Sequence, residues 1–350
     1  MNAARPDRIA VYGAYGHTGR FVLHELRRRG FVPVACGRDA AKLAALAEAA
    51  GVETRVAGVD DPAALDAAFA GTAAVLLCAG PFMDTSAPVL DAALRARIHY
   101  LDVAAEQRAV ADTLARDAEA RAAGVTVLPA MAFYGGLADL LASAALDGAT
   151  DADALDIAVA LDGWHPTRGT RITGERNRHP RSYIEHGRTL HLPDPAPVRT
   201  TDFPAPFGRQ ETVLLTLSEA VLVPHHIACR NLHAWMNLAP LRDLRDPATP
   251  APVATDDSGR SAQRFMVDVR VRRGAHQGRA TASGRDIYAV TAPLLAEALQ
   301  RILDGRVRGS GALAAGQAFD ARDFLAALTP AGVAVALEVA SGAEPAASVS

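Results

Sequence analysis

The chain has 350 residues, half of them hydrophobic, enough to bury a large core, and its length predicts two domains. A formal net charge of -3 argues against nucleic acid or an anionic membrane as a partner, since either needs a basic face. No apolar run approaches the roughly 18 residues that span a bilayer, and no leader is expected because the first strand starts at about residue 8. Cys36, Cys78 and Cys229 lack metal spacing, which places the chain in a reducing compartment, the cytoplasm.

Residues 8–19, RIAVYGAYGHTG, run an apolar strand into Gly13, Gly16 and Gly19, and the helix over 19–29 carries Phe21, Val22, Leu23 and Leu26 at helical spacing. This is how a dinucleotide-binding βαβ unit opens. Gly13 turns the chain, Gly16 lets backbone N–H groups approach a pyrophosphate, and Gly19 lets the helix pack on its strand. The glycines stand three and three apart rather than two and three, a variant found in NADP-linked and atypical reductases. The second strand, 32–36, ends in Gly37, Arg38 and Asp39, where an NAD enzyme usually carries an acid for the ribose 2′-hydroxyl. A guanidinium there forks onto a 2′-phosphate, so NADP(H) is the expected cofactor.

The alternation continues: a helix over 40–50, a strand over 53–57, a helix over 62–69, and an apolar strand over 74–78 that runs into Ala79, Gly80, Pro81 and Phe82. A turn at the carboxyl end of a parallel strand lines the ligand crevice. Then come a helix over 86–96, a strand over 99–102, a helix over 107–123 and a strand over 125–129. Such alternation predicts a parallel sheet with right-handed crossovers.

After residue 129 the pattern changes. A glycine turn and an apolar helix occupy 130–146. Strands follow at 155–161, 212–217, 231–236 and 265–273, with a final strand at 280–285, separated by Pro-rich and Arg-rich stretches. A long amphipathic helix over 286–304 is expected to return to the first domain. The fold class is thus α/β: a Rossmann-type doubly wound parallel sheet with a second α+β domain on a mostly antiparallel sheet. The expected division is a nucleotide domain at 1–130, a substrate and dimerisation domain at 131–285, a helical segment at 286–340 and a disordered tail at 341–350. A homodimer is the expected assembly.

Lys42 is the only lysine among 36 basic side chains, which argues against Schiff-base chemistry. Hydride transfer needs a proton donor within hydrogen-bond reach of the reacting bond. Tyr134, on the turn after the sixth strand, is the first candidate. Tyr15 and His17, inside the glycine loop, are the others. Arg168, Arg171, Arg176, Arg178 and Arg181 lie in a polar stretch that could fold over the cleft and hold a substrate carboxylate or phosphate. Eight histidines fall in the second domain, but no pair has i, i+4 spacing around a glutamate, so no metal is expected.

The chain resembles the saccharopine dehydrogenase-like oxidoreductases, whose short relatives include the trans-acting enoyl reductases. The matching strings are GAYGHTGR at 13–20, ACGRDAAKLAALA at 35–47, VLLCAGPF at 75–82, HYLDVAAE at 99–106 and DAEARAAGVTVLP at 117–129, with TRGTRIT at 167–173 and FPAPFGR at 203–209 in the second domain. The resemblance implies nicotinamide-dependent hydride transfer. The expected cofactor set is Gly13, Ala14, Tyr15, Gly16, His17, Thr18, Gly19, Arg38, Asp60, Cys78, Ala79, Gly80, Pro81 and Phe82, and the expected substrate contacts are Glu106, Tyr134 and Arg171.

Two departures stand out. Ala104-Ala105-Glu106 replaces a Thr-Gly-Glu, which removes a hydroxyl. The run from Ala132 to Asp139 replaces a Gly-Phe-Asp turn followed by Pro-x-Asp, which puts a phenol in place of a carboxylate. Saccharopine itself is not the expected substrate, because the spare lysine and the length of the full dehydrogenases are missing. The reading is an NADPH-dependent reductase acting on a C=N or activated C=C bond of a small biosynthetic intermediate. The alternatives are an NADP-dependent dehydrogenase oxidising an amino or hydroxy acid, and a non-catalytic NADP-binding sensor or partner protein.

Overall fold

The computed structural model describes residues 7–341. The first part alternates throughout: β1 (Arg8–Tyr12), α1 (His17–Arg28), β2 (Val32–Gly37), α2 (Ala40–Ala50), β3 (Glu53–Val56), α3 (Pro62–Phe69), β4 (Ala74–Leu77), α4 (Phe82–Ala96), β5 (His99–Asp102), α5 (Gln107–Leu114), α6 (Asp117–Ala123) and β6 (Thr126–Leu128). Local chemistry sets several boundaries. Asp39 caps α2 by accepting the Lys42 amide, and Gly51 ends that helix in the left-handed region. Asp61 caps α3 through the Ala64 amide, with Pro62 in the first turn.

The helix expected over 107–123 is two helices. The break falls at Ala115 and Arg116, where the Arg116 guanidinium reaches back to Asp91 on α4 at 2.8 Å.

The rest comprises α7 (Gly136–Leu146), β7 (Asp151–Ala152), β8 (Ala154–Leu161), α8 (Arg168–Arg176), β9 (Ser182–Glu185), β10 (Arg188–His191), β11 (Val198–Asp202), β12 (Arg209–Leu214), α9 (Glu219–His226), β13 (Ala228–Cys229), β14 (Leu232–Asn237), α10 (Leu238–Arg245), β15 (Arg264–Arg273), β16 (His276–Arg285), α11 (Thr291–Leu303), β17 (Gly311–Ala312), α12 (Ala315–Ala318), α13 (Ala321–Ala326) and β18 (Ala334–Ser341).

Two large sheets result. The first is parallel, in the order β17-β6-β5-β4-β1-β2-β3, so the strand order reverses between β1 and β4 and leaves a crevice at their carboxyl ends. The second runs β10-β9-β14-β8-β15-β16-β18, with β12 also on β14 and β11 beyond it. It is antiparallel except where β14 lies parallel to β8. The strand over 280–285 is therefore longer than expected, starting at His276, and it is not the last: β18 pairs along it.

The helix expected from residue 286 starts at Thr291. Asp286 has φ +62 and spends its carboxylate on the amides of Ser261, Tyr288 and Ala289, which holds a turn ahead of the helix. Helix α11 then packs on α1, with Glu297 paired to Arg29 at 2.6 Å, and β17 joins the first sheet beside β6. One cluster of buried side chains runs from Ile9 and Leu26 through Leu140 and Leu295 to Ile157 and Val267, so the two sheets share a core. Of the expected tail, Ser341 ends β18 and 342–350 lie outside the described residues.

Candidate functional site

The crevice opens above the glycine loop. Gly13 has φ +87, and a Cβ there would stand 2.8 Å from the Ala79 Cβ, so the β1 and β4 turns touch only because this residue has no side chain. At Gly19 a Cβ would fall 2.3 Å from the Gly13 carbonyl oxygen, so α1 approaches its strand as closely as the sequence spacing implies. The loop is held by amide bonds from Gly13 to Cys36 O at 2.9 Å and from Gly16 to Gly13 O at 2.9 Å. Gly16 is the N-cap and offers no side chain. Among the described residues no acceptor takes the His17, Thr18 or Gly19 amides. Those free N–H groups at the positive end of α1 are a ready anion site.

At the end of β2, Arg38 is exposed and has no ion pair or hydrogen bond among the described residues. Its neighbour Asp39 is already spent, on the Lys42 amide at 3.1 Å and the Lys42 ammonium at 2.8 Å. Tyr15 does not point toward the second domain. Its ring lies over Gly37, where a Cβ would meet it at 2.6 Å, and the Lys42 ammonium sits 5.6 Å from the ring centroid. That removes Tyr15 as a donor and makes it a wall of the nucleotide crevice, next to Arg38. Asp60 is exposed after β3. Close by, the buried Tyr12 hydroxyl donates to Ala57 O at 2.9 Å, and burial pushes its pKa up to about 12.

The turn after β4 is fixed from behind. Glu106, buried, accepts the Phe82 amide on Oε1 at 3.0 Å and the Ala105 amide on Oε2 at 3.1 Å, while Thr85 donates to Ala79 O at 2.6 Å. Both Glu106 oxygens thus serve the backbone, so it positions Ala79, Gly80, Pro81 and Phe82 instead of contacting substrate. Burial raises its pKa. Cys78, at the head of this turn, has its thiol pushed up to about 12 by burial. Asp102, which the sequence reading overlooked, is fully buried at the end of β5. It accepts the Ala104 and Ala130 amides at 2.9 and 2.7 Å and the Tyr100 hydroxyl at 2.8 Å, joining the ends of β5 and β6.

The second domain closes over these turns. Helix α8 crosses the β4 turn, with Thr173 Oγ1 2.9 Å from where a Gly80 Cβ would stand, and Arg176 pairs with Asp84 on α4 at 2.7 Å. Arg171 faces elsewhere. Its guanidinium donates to the carbonyls of Leu244, Asp246 and Thr249, capping the end of α10, so it holds α8 in place and is not a substrate contact. His17 does reach the domain boundary. Its ring stands edge-on to Phe21 and Tyr288, both at 5.3 Å, Nε2 is buried without a partner among the described residues, and burial lowers its pKa.

Tyr134 follows β6 as expected and packs on Phe133 and Trp164 at 4.8 and 5.7 Å. Its hydroxyl is buried with no partner among the described residues, and burial holds its pKa well above the usual phenol value. Beside it lies a residue the sequence reading passed over. Glu219, at the start of α9, is buried, takes the Leu217 amide at 2.6 Å, and has its pKa pushed up to about 7 by burial. Its signal was a lone carboxylate inside the apolar and hydroxyl run 212–223. Among the described residues no group of three metal-ligating side chains comes together. None of the helices there is long and apolar enough to cross a membrane.

The comparisons agree with this geometry. The family model of the saccharopine dehydrogenase NADP binding domain matches residues 9–128. No curated protein sequence matches the chain. Among solved structures, apo histidine-tagged saccharopine dehydrogenase (L-Glu forming) from Saccharomyces cerevisiae is similar over 95% of this chain and 100% of its own, with a TM-score of 0.68 at 14% identity. Triphenylmethane reductase from Citrobacter sp. complexed with NADP(H) aligns over 41% of this chain and 57% of its own, at 24% identity and a TM-score of 0.29. The loop, the free amides and the unpaired Arg38 fit the cofactor of that family. With the glycine loop, the strand order and both sheets in place, the chain has the overall fold of a saccharopine dehydrogenase, and its residues 9–128 match the model of the saccharopine dehydrogenase NADP binding domain.

Proposed function

We propose that the chain is an NADPH-dependent reductase that adds hydride to a C=N or activated C=C bond of a small biosynthetic intermediate. NADPH supplies the hydride when bound. The His17, Thr18 and Gly19 amides hold its diphosphate, Arg38 and the Tyr15 ring hold the 2′-phosphate end, and Glu106 sets the turn beside the nicotinamide. The observation that carries this reading is the conjunction in one crevice of unpaired amides and an unpaired guanidinium.

The reading places the enzyme in the cytoplasm, supported by three free cysteines. It takes the assembly as a homodimer, supported by open edges at β10 and β18 where Leu190 and Leu337 are exposed. Stopped-flow oxidation of NADPH against a panel of imines, enones and ketones tests it. Turnover of an imine or enone supports the reductase. Turnover only of NADP with amino or hydroxy acids establishes the dehydrogenase instead, and NADPH binding without turnover in either direction establishes a sensor.

A further inference from the structure

We propose, resting on the reductase reading above, that the substrate carries an oxyanion, a carboxylate or a phosphate, and that the Arg181 guanidinium holds it. Arg181 lies in the segment that joins α8 to β9, and both ends of that segment are fastened beside the crevice turns. On the α8 side, Thr173 Oγ1 stands 2.9 Å from where a Gly80 Cβ would be, and Arg176 pairs with Asp84, in the first turn of α4, at 2.7 Å. On the β9 side, Ser182 donates its amide to Gln107 Oε1 at 2.8 Å, and its carbonyl accepts Gln107 Nε2 at 3.0 Å and the Thr216 hydroxyl at 2.8 Å. Gln107 opens α5 directly after Glu106, whose carboxylate accepts the Phe82 amide.

Residues 177–181 therefore span from the first turn of α4 to the first turn of α5, along the carboxyl ends of β4 and β5. Strands β2 and β4 flank β1 on opposite sides, so this segment borders the end of the crevice away from Arg38. An anion held here is a group of the substrate and not the cofactor's 2′-phosphate.

Five arginines fall between residues 168 and 181, and the structure spends two of them, Arg171 on carbonyls at the end of α10 and Arg176 on Asp84. The side chains of Arg168, Arg178 and Arg181 have no ion pair or hydrogen bond among the described residues. Arg181 stands apart from the other two. It is exposed, yet burial lowers its pKa, because protein crowds its guanidinium. A side chain on a convex surface reaches solvent without being crowded, whereas one that is both exposed and crowded projects into a cleft. The charge that acts on it is the buried Glu219, which comes no closer than an ion pair's 4 Å limit and, with its own pKa pushed up to about 7, only partly compensates it near neutral pH. A crowded guanidinium without a counter-ion is costly, and an oxyanion on its fork of parallel N–H donors removes that cost.

Titration calorimetry of the NADP-loaded protein with probes that cannot be reduced reads this contact without turnover. Cyclohexanecarboxylate, cyclohexylphosphonate and the neutral cyclohexanecarboxamide serve. The wild type should bind at least one of the two anions about tenfold or more tighter than the amide, and the anion it prefers tells a carboxylate from a phosphate. Arg181→Gln should bring that anion down to the affinity of the amide with NADPH affinity unchanged, and Arg181→Lys should keep part of the preference. Arg178→Gln, on the same segment but not crowded, should change the affinity by less than about threefold. A wild type that binds the amide as tightly as both anions overturns the proposal, as does an Arg181→Gln protein that keeps the preference. A loss in Arg178→Gln equal to that in Arg181→Gln overturns it too, because a diffuse positive field and not one fork would then be responsible. If the preference depends on Arg181 while no imine or enone oxidises NADPH, the anion site stands and the reductase reading alone has failed.

Discussion

Gly19 shows how far a single residue can be read ahead of its structure. A glycine three residues past another, at the head of an amphipathic helix, signals close backbone approach, and the distance from its would-be Cβ to Gly13 O confirms the contact. Gly19→Ala should therefore destabilise the protein by roughly 1–3 kcal/mol, read from the urea midpoint, and weaken nucleotide binding in parallel. Arg38 is legible for a similar reason, since its place after β2 is fixed by chain order. Glu219 and Asp102 were not legible, because what singles them out is burial by tertiary packing, which raises both pKa values, while most of their partners, Leu217, Tyr100 and Ala104, are local.

Glu219 also carries a stability signature. Its folded pKa is raised from about 4.5 to about 7, so the unfolded chain ionises first and the contribution is fully present below the unfolded value. It is lost as pH rises through the folded pKa. The wild type should lose up to roughly 3 kcal/mol relative to Glu219→Gln between pH 4 and pH 8 in denaturant titrations.

At the scale of elements, the regular helices and strands of the first domain follow from periodicity and caps, whereas the second domain hides its helices. Helix α8 carries no buried residue, so no apolar stripe announces it. It is held instead by Arg171 on the end of α10. Arg171→Ala should cost about 1–2 kcal/mol of stability, measured by denaturation, with NADPH affinity unchanged. β18, by contrast, carried a readable signal in Val335, Leu337 and Val339 alternating with Ala334, Ala336 and Glu338.

A second tie joins α7, α9 and α12. The fully buried Asp139 accepts the Gly316 amide at 2.7 Å and contacts His226 Nε2 at 2.7 Å, and this carboxylate raises the His226 pKa. A raised histidine pKa adds stability that is complete below its unfolded value near 6.5 and fades as pH rises through the folded one. His226→Gln should flatten that part of the pH–stability curve, an outcome that thermal melts across pH can check. A curve unchanged by the substitution would show that the pair carries no charge.

For the molecule as a whole, the two-sheet plan follows from a change of pattern near residue 130, and the doubly wound sheet from strict alternation before it. The shared core does not follow from either. A helix in this region returning to the first domain is among the sequence expectations, but its pairing of Glu297 with Arg29 on α1, and the entry of β17 beside β6, join segments more than 180 residues apart. This interlocking keeps the second domain over the nucleotide crevice. Specificity for the cofactor, however, is assigned to one exposed side chain at the rim.

The most direct measurement is calorimetric titration of the wild type and Arg38→Ala with NADPH and with NADH. A guanidinium on a 2′-phosphate contributes about 1.5–3 kcal/mol. The wild type should therefore prefer NADPH, and Arg38→Ala should lose roughly tenfold to a hundredfold in NADPH affinity with NADH affinity unchanged. Equal affinity of the wild type for the two nucleotides, or an Arg38→Ala protein that binds NADPH as tightly as the wild type, would contradict the account.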